Sequence, residues 1–153
     1  MITIYTDGAS RGNPGPGGYG TVMIYKQHRK ELTSGFRMTT NNRMELLAVI
    51  AGLEALKGEK QEVLIYSDSK YVVESVEKGW IWGWIKTGFK KKKNEDLWRR
   101  FIPVYQKHKV KFQWVKGHAG IAENERCDEL AVQSALQPNL PPDIGYEEIQ
   151  DSL

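Results

Sequence analysis

Alternation of apolar and polar residues sets the first landmarks along the chain. Residues 2–7 (Ile2-Thr3-Ile4-Tyr5-Thr6-Asp7) and 62–67, rich in β-branched and aromatic side chains, predict two strands. Residues 19–26 and 30–38 alternate well enough for a hairpin joined around Gln27-His28-Arg29, and 110–115 predicts a fifth strand. Elsewhere the period lengthens to that of a helix. Residues 43–57 carry Met44, Leu46, Leu47, Val49, Ile50, Leu53 and Leu56, apolar nearly all round, which predicts a largely buried helix. Further helices are predicted over 69–78, 95–107 and 123–136, with Asn94 as an N-cap and Glu95 and Asp96 at the positive helix start. Residues 12–18 predict a glycine-rich turn, and 80–93 an irregular or partly helical stretch broken by Gly83 and Gly88.

This order is a three-strand meander followed by helix, strand, helices, strand and helix. Right-handed crossovers make the first, fourth and fifth strands parallel. The expectation is an α/β fold with a mixed five-stranded sheet and helices on its faces. Ligands of such sheets bind beyond the carboxyl ends of the parallel strands. Asp7, Asp68 and the Gly117-His118 turn all fall at those ends.

Bulk properties narrow the class. A chain of 153 residues is one domain of common size, and 40% apolar with 27% charged content reads as soluble and globular. No run approaches the roughly 18–20 apolar residues of a membrane span, and Met1-Ile2-Thr3-Ile4 enters a strand without a basic leader. A cytoplasmic location is the expectation, and the single Cys127 fits a reducing compartment. Residues 78–116 hold twelve Lys/Arg against two acids, a local +10 that leaves the remainder at −7 of the net +3. Such a split pairs a polyanion-binding segment with acids gathered elsewhere for a metal. After Gln137 come three prolines and four acids with no Lys or Arg, which predicts a flexible tail over 137–153.

Each acid has an ordinary explanation. Asp7-Gly8 is a common turn pair, and Asp68 lies among good helix caps. Glu45, three residues after Asn42, fits a variant capping box; Asp128 fits a solvated helix start. All four explanations would have to converge on one end of one sheet. Carboxylates held together repel unless a cation neutralises them, and hard oxygen ligands suit Mg²⁺. Two such ions about 3.5–4 Å apart would activate water and stabilise a leaving oxygen in phosphodiester cleavage. Zinc is disfavoured, because one cysteine and three scattered histidines give no ligand spacing. His118, between glycines, is a candidate proton shuttle. Trp80, Trp82, Trp84, Phe89 and the run Lys90, Lys91, Lys92 and Lys93 read as a nucleic-acid handle, with some of the tryptophans packed inside.

The motifs Tyr5-Thr6-Asp7-Gly8, Gly12 to Gly20, Thr40-Asn41-Asn42-Arg43-Met44-Glu45-Leu46, Ser67-Asp68-Ser69, Val115 to Gly120 and Asn124 to Ala131 resemble those of bacterial ribonuclease HI, in order, from residue 1 to about 136. The resemblance implies a ribonuclease H-like sheet of strand order 3-2-1-4-5, with strand 2 antiparallel. It implies a catalytic domain over 1–136 that includes a basic protrusion at 80–93. The enzyme would cleave the RNA strand of RNA–DNA hybrids endonucleolytically, leaving 5′-phosphate and 3′-hydroxyl ends. Asp7, Glu45, Asp68 and Asp128 match the family's metal-binding acids, with two Mg²⁺ (or Mn²⁺) ions, and His118 its loop histidine. Asn13, Asn41 and Asn42 match hybrid contacts, Thr40 a DNA-phosphate contact, and Trp80, Trp84 and Lys90 to Lys93 the protrusion that grips DNA. Phe89 stands where many members have tryptophan. Met38 stands where some have an arginine, with Arg37 one residue earlier. A monomer without protein partners is the expectation. Alternatives are a ribonuclease H domain of a reverse transcriptase, against which Met1 directly before the first strand argues, and a noncatalytic binding module, which would be expected to have lost an acid.

Overall fold

The computed structural model describes residues 1–117 and 120–152. Five strands form one sheet: β1 (Ile2–Ser10), β2 (Gly15–Tyr25), β3 (His28–Thr39), β4 (Glu62–Ser67) and β5 (Lys109–Trp114). Its order is β3-β2-β1-β4-β5, with β1, β4 and β5 parallel and β2 antiparallel to both neighbours. The helices are α1 (Asn41–Glu54), α2 (Lys70–Glu77), α3 (Trp80–Lys86), α4 (Glu95–Gln106), α5 (Ala122–Ala135) and α6 (Ile144–Ser152). No described helix is long and apolar enough to cross a membrane.

Helix α1 is buried around most of its circumference, and its Met44, Leu46, Val49 and Ile50 meet Ile4, Ile65 and α4's Trp98 and Phe101 in the main core. A smaller cluster of Val22, Cys127 and Leu130, with Tyr5 and Ile24, lies between the sheet and α5. The helices thus cover both faces, as the crossovers require.

The glycine-rich segment departs from the expected turn. Only its first part bends; Gly15 to Gly20 belong to β2, and β1 runs on to Ser10 with Asp7 opposite Gly20 and Ser10 opposite Gly17. Packing explains the glycines. A Cβ on Gly20 would lie 2.3 Å from the Cys127 carbonyl oxygen, and one on Gly18 2.7 Å from that of Ala131. On the other face, a Cβ on Gly8 would lie 2.4 Å from the Glu45 nitrogen. Missing side chains let α5 and α1 sit directly on the sheet beside Asp7. The hairpin turn is also shorter than expected: Lys26 and Gln27 alone connect β2 to β3, with Lys26 at φ 54°.

The segment after Gln137 is no free tail. The Arg37 amide donates to the Pro141 carbonyl at 2.9 Å, and α6 follows. Asp143 is buried, accepting from Thr39 Oγ1 at 2.7 Å and from Arg43 Nε at 2.8 Å and Nη2 at 3.0 Å. Arg43 is itself buried in α1 and also grips Asp96 at 2.7 and 2.8 Å. A guanidinium held by two carboxylates keeps its proton more firmly than usual. Composition predicts disorder from the prolines and acids; one distant arginine supplies the counter-charge that docks them.

Candidate metal centre and active site

The ordinary explanations for the acids fail one by one in the fold. Asp7 forms no turn, because β1 continues three residues beyond it. Asp68 caps nothing: Ser69 is the N-cap of α2, accepting from the Val72 amide at 3.2 Å. Thr40, two residues before Asn42, caps α1 through the Arg43 amide at 3.3 Å. Glu45 therefore sits two residues too deep for a capping box. Asn94, expected as an N-cap, adopts φ 66° and makes no side-chain cap bond; it instead donates to the Tyr71 hydroxyl at 3.1 Å.

What the fold does with the acids is gather them. Asp7, Glu45 and Asp68 each offer an oxygen, and these oxygens lie within 4.8 Å of one another. The Gly8 amide donates to both Asp7 Oδ1 and Glu45 Oε1 at 2.8 Å, pinning the pair. The other oxygen of Glu45, Oε2, is buried and has no hydrogen-bond partner among the described residues. Burial, and then the neighbouring carboxylates, push the Glu45 carboxyl well above its usual range. Burial foremost raises Asp7 to about 6, against the Gly8 hydrogen bond, which lowers it. Without a counter-charge, ionising both carboxyls is costly. A divalent cation would remove that cost and give Glu45 Oε2 its missing partner. The donor set is all hard oxygen, which fits Mg²⁺.

Asp128, in the middle of α5, stands outside this three-oxygen group. It lines the same two cavities as Asp7 and Asp68, of about 250 and 390 Å³, and its charge raises Asp7 further. Gly20, which lets Cys127 approach the sheet, places it there. Burial foremost, and the charge of Asp7, push the Cys127 thiol up to about 12; it donates to the Tyr5 carbonyl at 3.2 Å as a structural group. His118 lies outside the described residues, although its neighbour Gly117 lines the smaller cavity beside Asp68.

The larger cavity also takes in the expected substrate contacts Asn41 and Asn42. Asn41 Oδ1 accepts from the Ser10 amide at 2.7 Å and the Ser10 hydroxyl at 2.9 Å, while Asn13 Oδ1 accepts from the Asn41 amide at 3.1 Å. With their carbonyl oxygens engaged, both amides keep Nδ2 as a donor for a ligand. Thr40 serves as the helix cap described above.

The basic segment comprises α3 and the turn after it, an arm anchored on the main core through Ile81 and Phe89. Trp80 is exposed, and Trp80, Trp84 and Lys92 line an open cavity with Gly79 and Gly83. Lys90 to Lys93 are all exposed. Phe89 corrects the expectation of a stacking ring: it is 3% exposed, with φ 59° and the Arg99 guanidinium 4.9 Å above it. Trp84 packs its edge on Trp98 at 5.8 Å, and Trp82 leans on Tyr105. Tyr71 links the two regions, lining the acid cavity while its hydroxyl accepts from Trp98 Nε1 at 2.8 Å.

Two features of this region escape sequence reasoning. Arg43 reads as one polar residue in a buried helix, and its partners are 53 and 100 residues away. Asn124 Oδ1, buried without a partner among the described residues, belongs to a residue that lines the smaller cavity; no local pattern marks it.

A mixed five-stranded sheet whose β1, β4 and α1 bring three acids together forms a hard-oxygen site suited to a divalent cation. Comparison gives the family. The model of the RNase H family matches residues 1–136. Ribonuclease H of Desulforamulus reducens is 62% identical over 148 residues, spanning 94% of this chain and 92% of that protein. Ribonuclease H of Klebsiella pneumoniae is 54% identical over 151 residues, spanning 95% of this chain and 96% of the relative. Among solved structures, LC9-RNase H1, a type 1 RNase H with the type 2 active-site motif, superposes with TM-score 0.76 at 33% identity, covering 97% of this chain and 79% of the other. LC11-RNase H1 in complex with RNA/DNA hybrid gives TM-score 0.66 at 28% identity, over 88% and 96% of the two chains. The chain belongs to the ribonuclease H family and is an enzyme of that class.

Proposed function

We propose that the protein is an endonuclease that hydrolyses the RNA strand of RNA–DNA hybrids with two divalent cations, Mg²⁺ or Mn²⁺, held by Asp7, Glu45, Asp68 and Asp128. The observation that carries this reading is the convergence of Asp7, Glu45 and Asp68, whose oxygens lie within 4.8 Å of one another, together with a buried Glu45 Oε2 that has no partner among the described residues. The hybrid bound to LC11-RNase H1, a structural neighbour, supports the substrate.

Cations in such a site lower the pKa of water and neutralise charge that builds on the phosphoryl oxygens. The chain's own residues prepare that event. The Gly8 amide fixes Asp7 and Glu45 as a rigid pair, so the carboxylates need little reorganisation when charge develops. Asn41 and Asn42 line the larger cavity, and Asn13, bonded to the Asn41 amide, offers its own amide donor beside them. The ribose 2′-hydroxyl is what separates RNA from DNA at one site, and these donors read it and the minor-groove edges. They carry no base-pair code, so sequence preference is weak. Water attacks phosphorus in line with the 3′-oxygen, which leaves as a 3′-hydroxyl while the phosphate stays on the 5′ side of the next nucleotide. His118 accepts or delivers a proton there, and the arm with Trp80, Trp84 and Lys90 to Lys93 holds the DNA strand by its phosphates.

The test is incubation with end-labelled hybrid, single-stranded RNA, RNA duplex and DNA duplex, with and without Mg²⁺. Cleavage confined to the RNA strand of the hybrid, abolished by chelation and restored by Mg²⁺, is the expected result. Binding of hybrid without cutting at any metal concentration overturns the reading in favour of a noncatalytic module.

A further inference from the structure

The rim of the acid cavity carries a cation outside the basic arm. Lys70, the first residue of α2, lines the larger cavity together with Asp7, Glu45 and Asp68, and it is exposed. Its Nζ lies 4.9 Å from the centroid of the Trp114 ring. Trp114 ends β5 opposite Ser67, and its Nε1 donates to the Asp68 carbonyl at 3.1 Å. The indole is thus fixed at one edge to the backbone of a cluster acid. It forms a shelf on which the ammonium rests by attraction to the ring face. Among the described residues no carboxylate pairs with Lys70, although Asp68 is two positions away. A ring engages one side of an ammonium, and its remaining N–H donors stay available to oxygen.

We propose that Lys70, backed by Trp114, is a phosphate-holding residue that seats an RNA-strand phosphate flanking the scissile one. This deepens the hybrid-nuclease reading and rests on it. A strand whose scissile phosphate meets Asp7, Glu45 and Asp68 must carry its neighbouring phosphates past the cavity rim. Those phosphates face a cluster of negative charge, and Lys70 is a cation placed beside it on the larger cavity, as Lys116 is on the smaller. Trp114 holds the ammonium off the carboxylates, so it does not neutralise the acids that bind cations.

The experiment compares wild type, Lys70→Gln, Lys70→Arg and Trp114→Phe in hybrid cleavage across a salt series and an Mg²⁺ titration. Lys70→Gln is expected to lower kcat/KM about fivefold, mainly through KM, and to flatten the plot of log kcat/KM against log salt by about 0.9, the slope of one phosphate contact. Lys70→Arg restores both, Trp114→Phe gives a smaller loss, and the Mg²⁺ midpoint does not move. Replacing single linkages by neutral methylphosphonates locates the contact: one RNA linkage beside the cleavage site costs wild type but not Lys70→Gln. An unchanged salt slope in Lys70→Gln overturns the proposal. So does an effect confined to the Mg²⁺ midpoint, or a sensitive linkage on the DNA strand. Failure of the wild type to cut the hybrid sinks the function reading instead.

Discussion

The acid cluster and the basic arm answer opposite demands. The cluster brings like charges together where nothing relieves them; the arm spreads like charges where water does. Asp7, Glu45 and Asp68 sit on two sheet strands and a buried helix, and one amide ties two of them. The arm is a short helix and a turn in which Gly88, Phe89, Lys91 and Asn94 all have positive φ, with its lysines in solvent. The contrast is that a cluster of like charges keeps its geometry only on a scaffold that forbids relaxation. A phosphate handle needs only enough charge on a surface anchored underneath, here by Phe89 and Trp84. Arg43 joins the two, one guanidinium reaching from α1 to Asp96 at the base of the arm and to Asp143 after α5.

The contrast is broken most directly at Asp7. Asp7→Asn is expected to lower kcat by at least about 10³-fold, roughly 4 kcal/mol of barrier, with hybrid affinity in a gel-shift titration retained. Near-normal turnover of that variant would remove the carboxylates from the mechanism. Next in size is the clamp. Asp143→Ala leaves a buried guanidinium half-paired and should cost about 3 kcal/mol of stability, lowering Tm by roughly 6–12 °C. A Tm within about 2 °C of wild type would show that α6 is only loosely attached.

A third effect has the opposite sign. In metal-free protein, Asp7 titrates at about 6, above its ordinary 3.8. The folded state therefore binds its proton more tightly than the unfolded chain. The cost of ionising it is fully present above pH 6 and vanishes as pH falls below about 4. Asp7→Asn should thus raise the Tm of chelator-treated protein by roughly 5–10 °C at pH 8, about 2–3 kcal/mol, and by little at pH 4. Calorimetry at the two pH values checks this, and an equal gain at both would assign it to something other than charge. The smallest change is in the arm. Replacing Lys90 to Lys93 with alanine should raise KM about tenfold, leave kcat nearly unchanged, and flatten the salt dependence by up to about 3–4 units of slope. An unaltered slope would make the run an ordinary solvated surface.

Much of this was legible in sequence because its signals are local. Period-2 runs marked all five strands, and the period of α1 announced a buried helix. The chain ends of β1 and β4 put Asp7 and Asp68 at one sheet edge before any coordinates, and the order of strands and helices implied the parallel crossovers. Errors came where the deciding contact is remote. Gly15 to Gly18 look like a turn until β1 and β3 are seen pairing with them. Asn42 looks like a cap until Thr40 takes the role. Phe89 looks like a stacking ring until Arg99 covers it.

By itself, the order of residues determined which backbone becomes strand or helix and that Asp7 and Asp68 lie toward one end of the sheet, since both follow from side-chain pattern and chain direction. Only the tertiary structure decided that Glu45 meets Asp7, that Asp128 stands beside rather than within the three-oxygen group, and that the final segment docks. Those outcomes depend on how closely two helices approach a sheet and on one buried arginine finding partners 53 and 100 residues away. Such contacts are set by packing in space, and no local pattern in the chain encodes them.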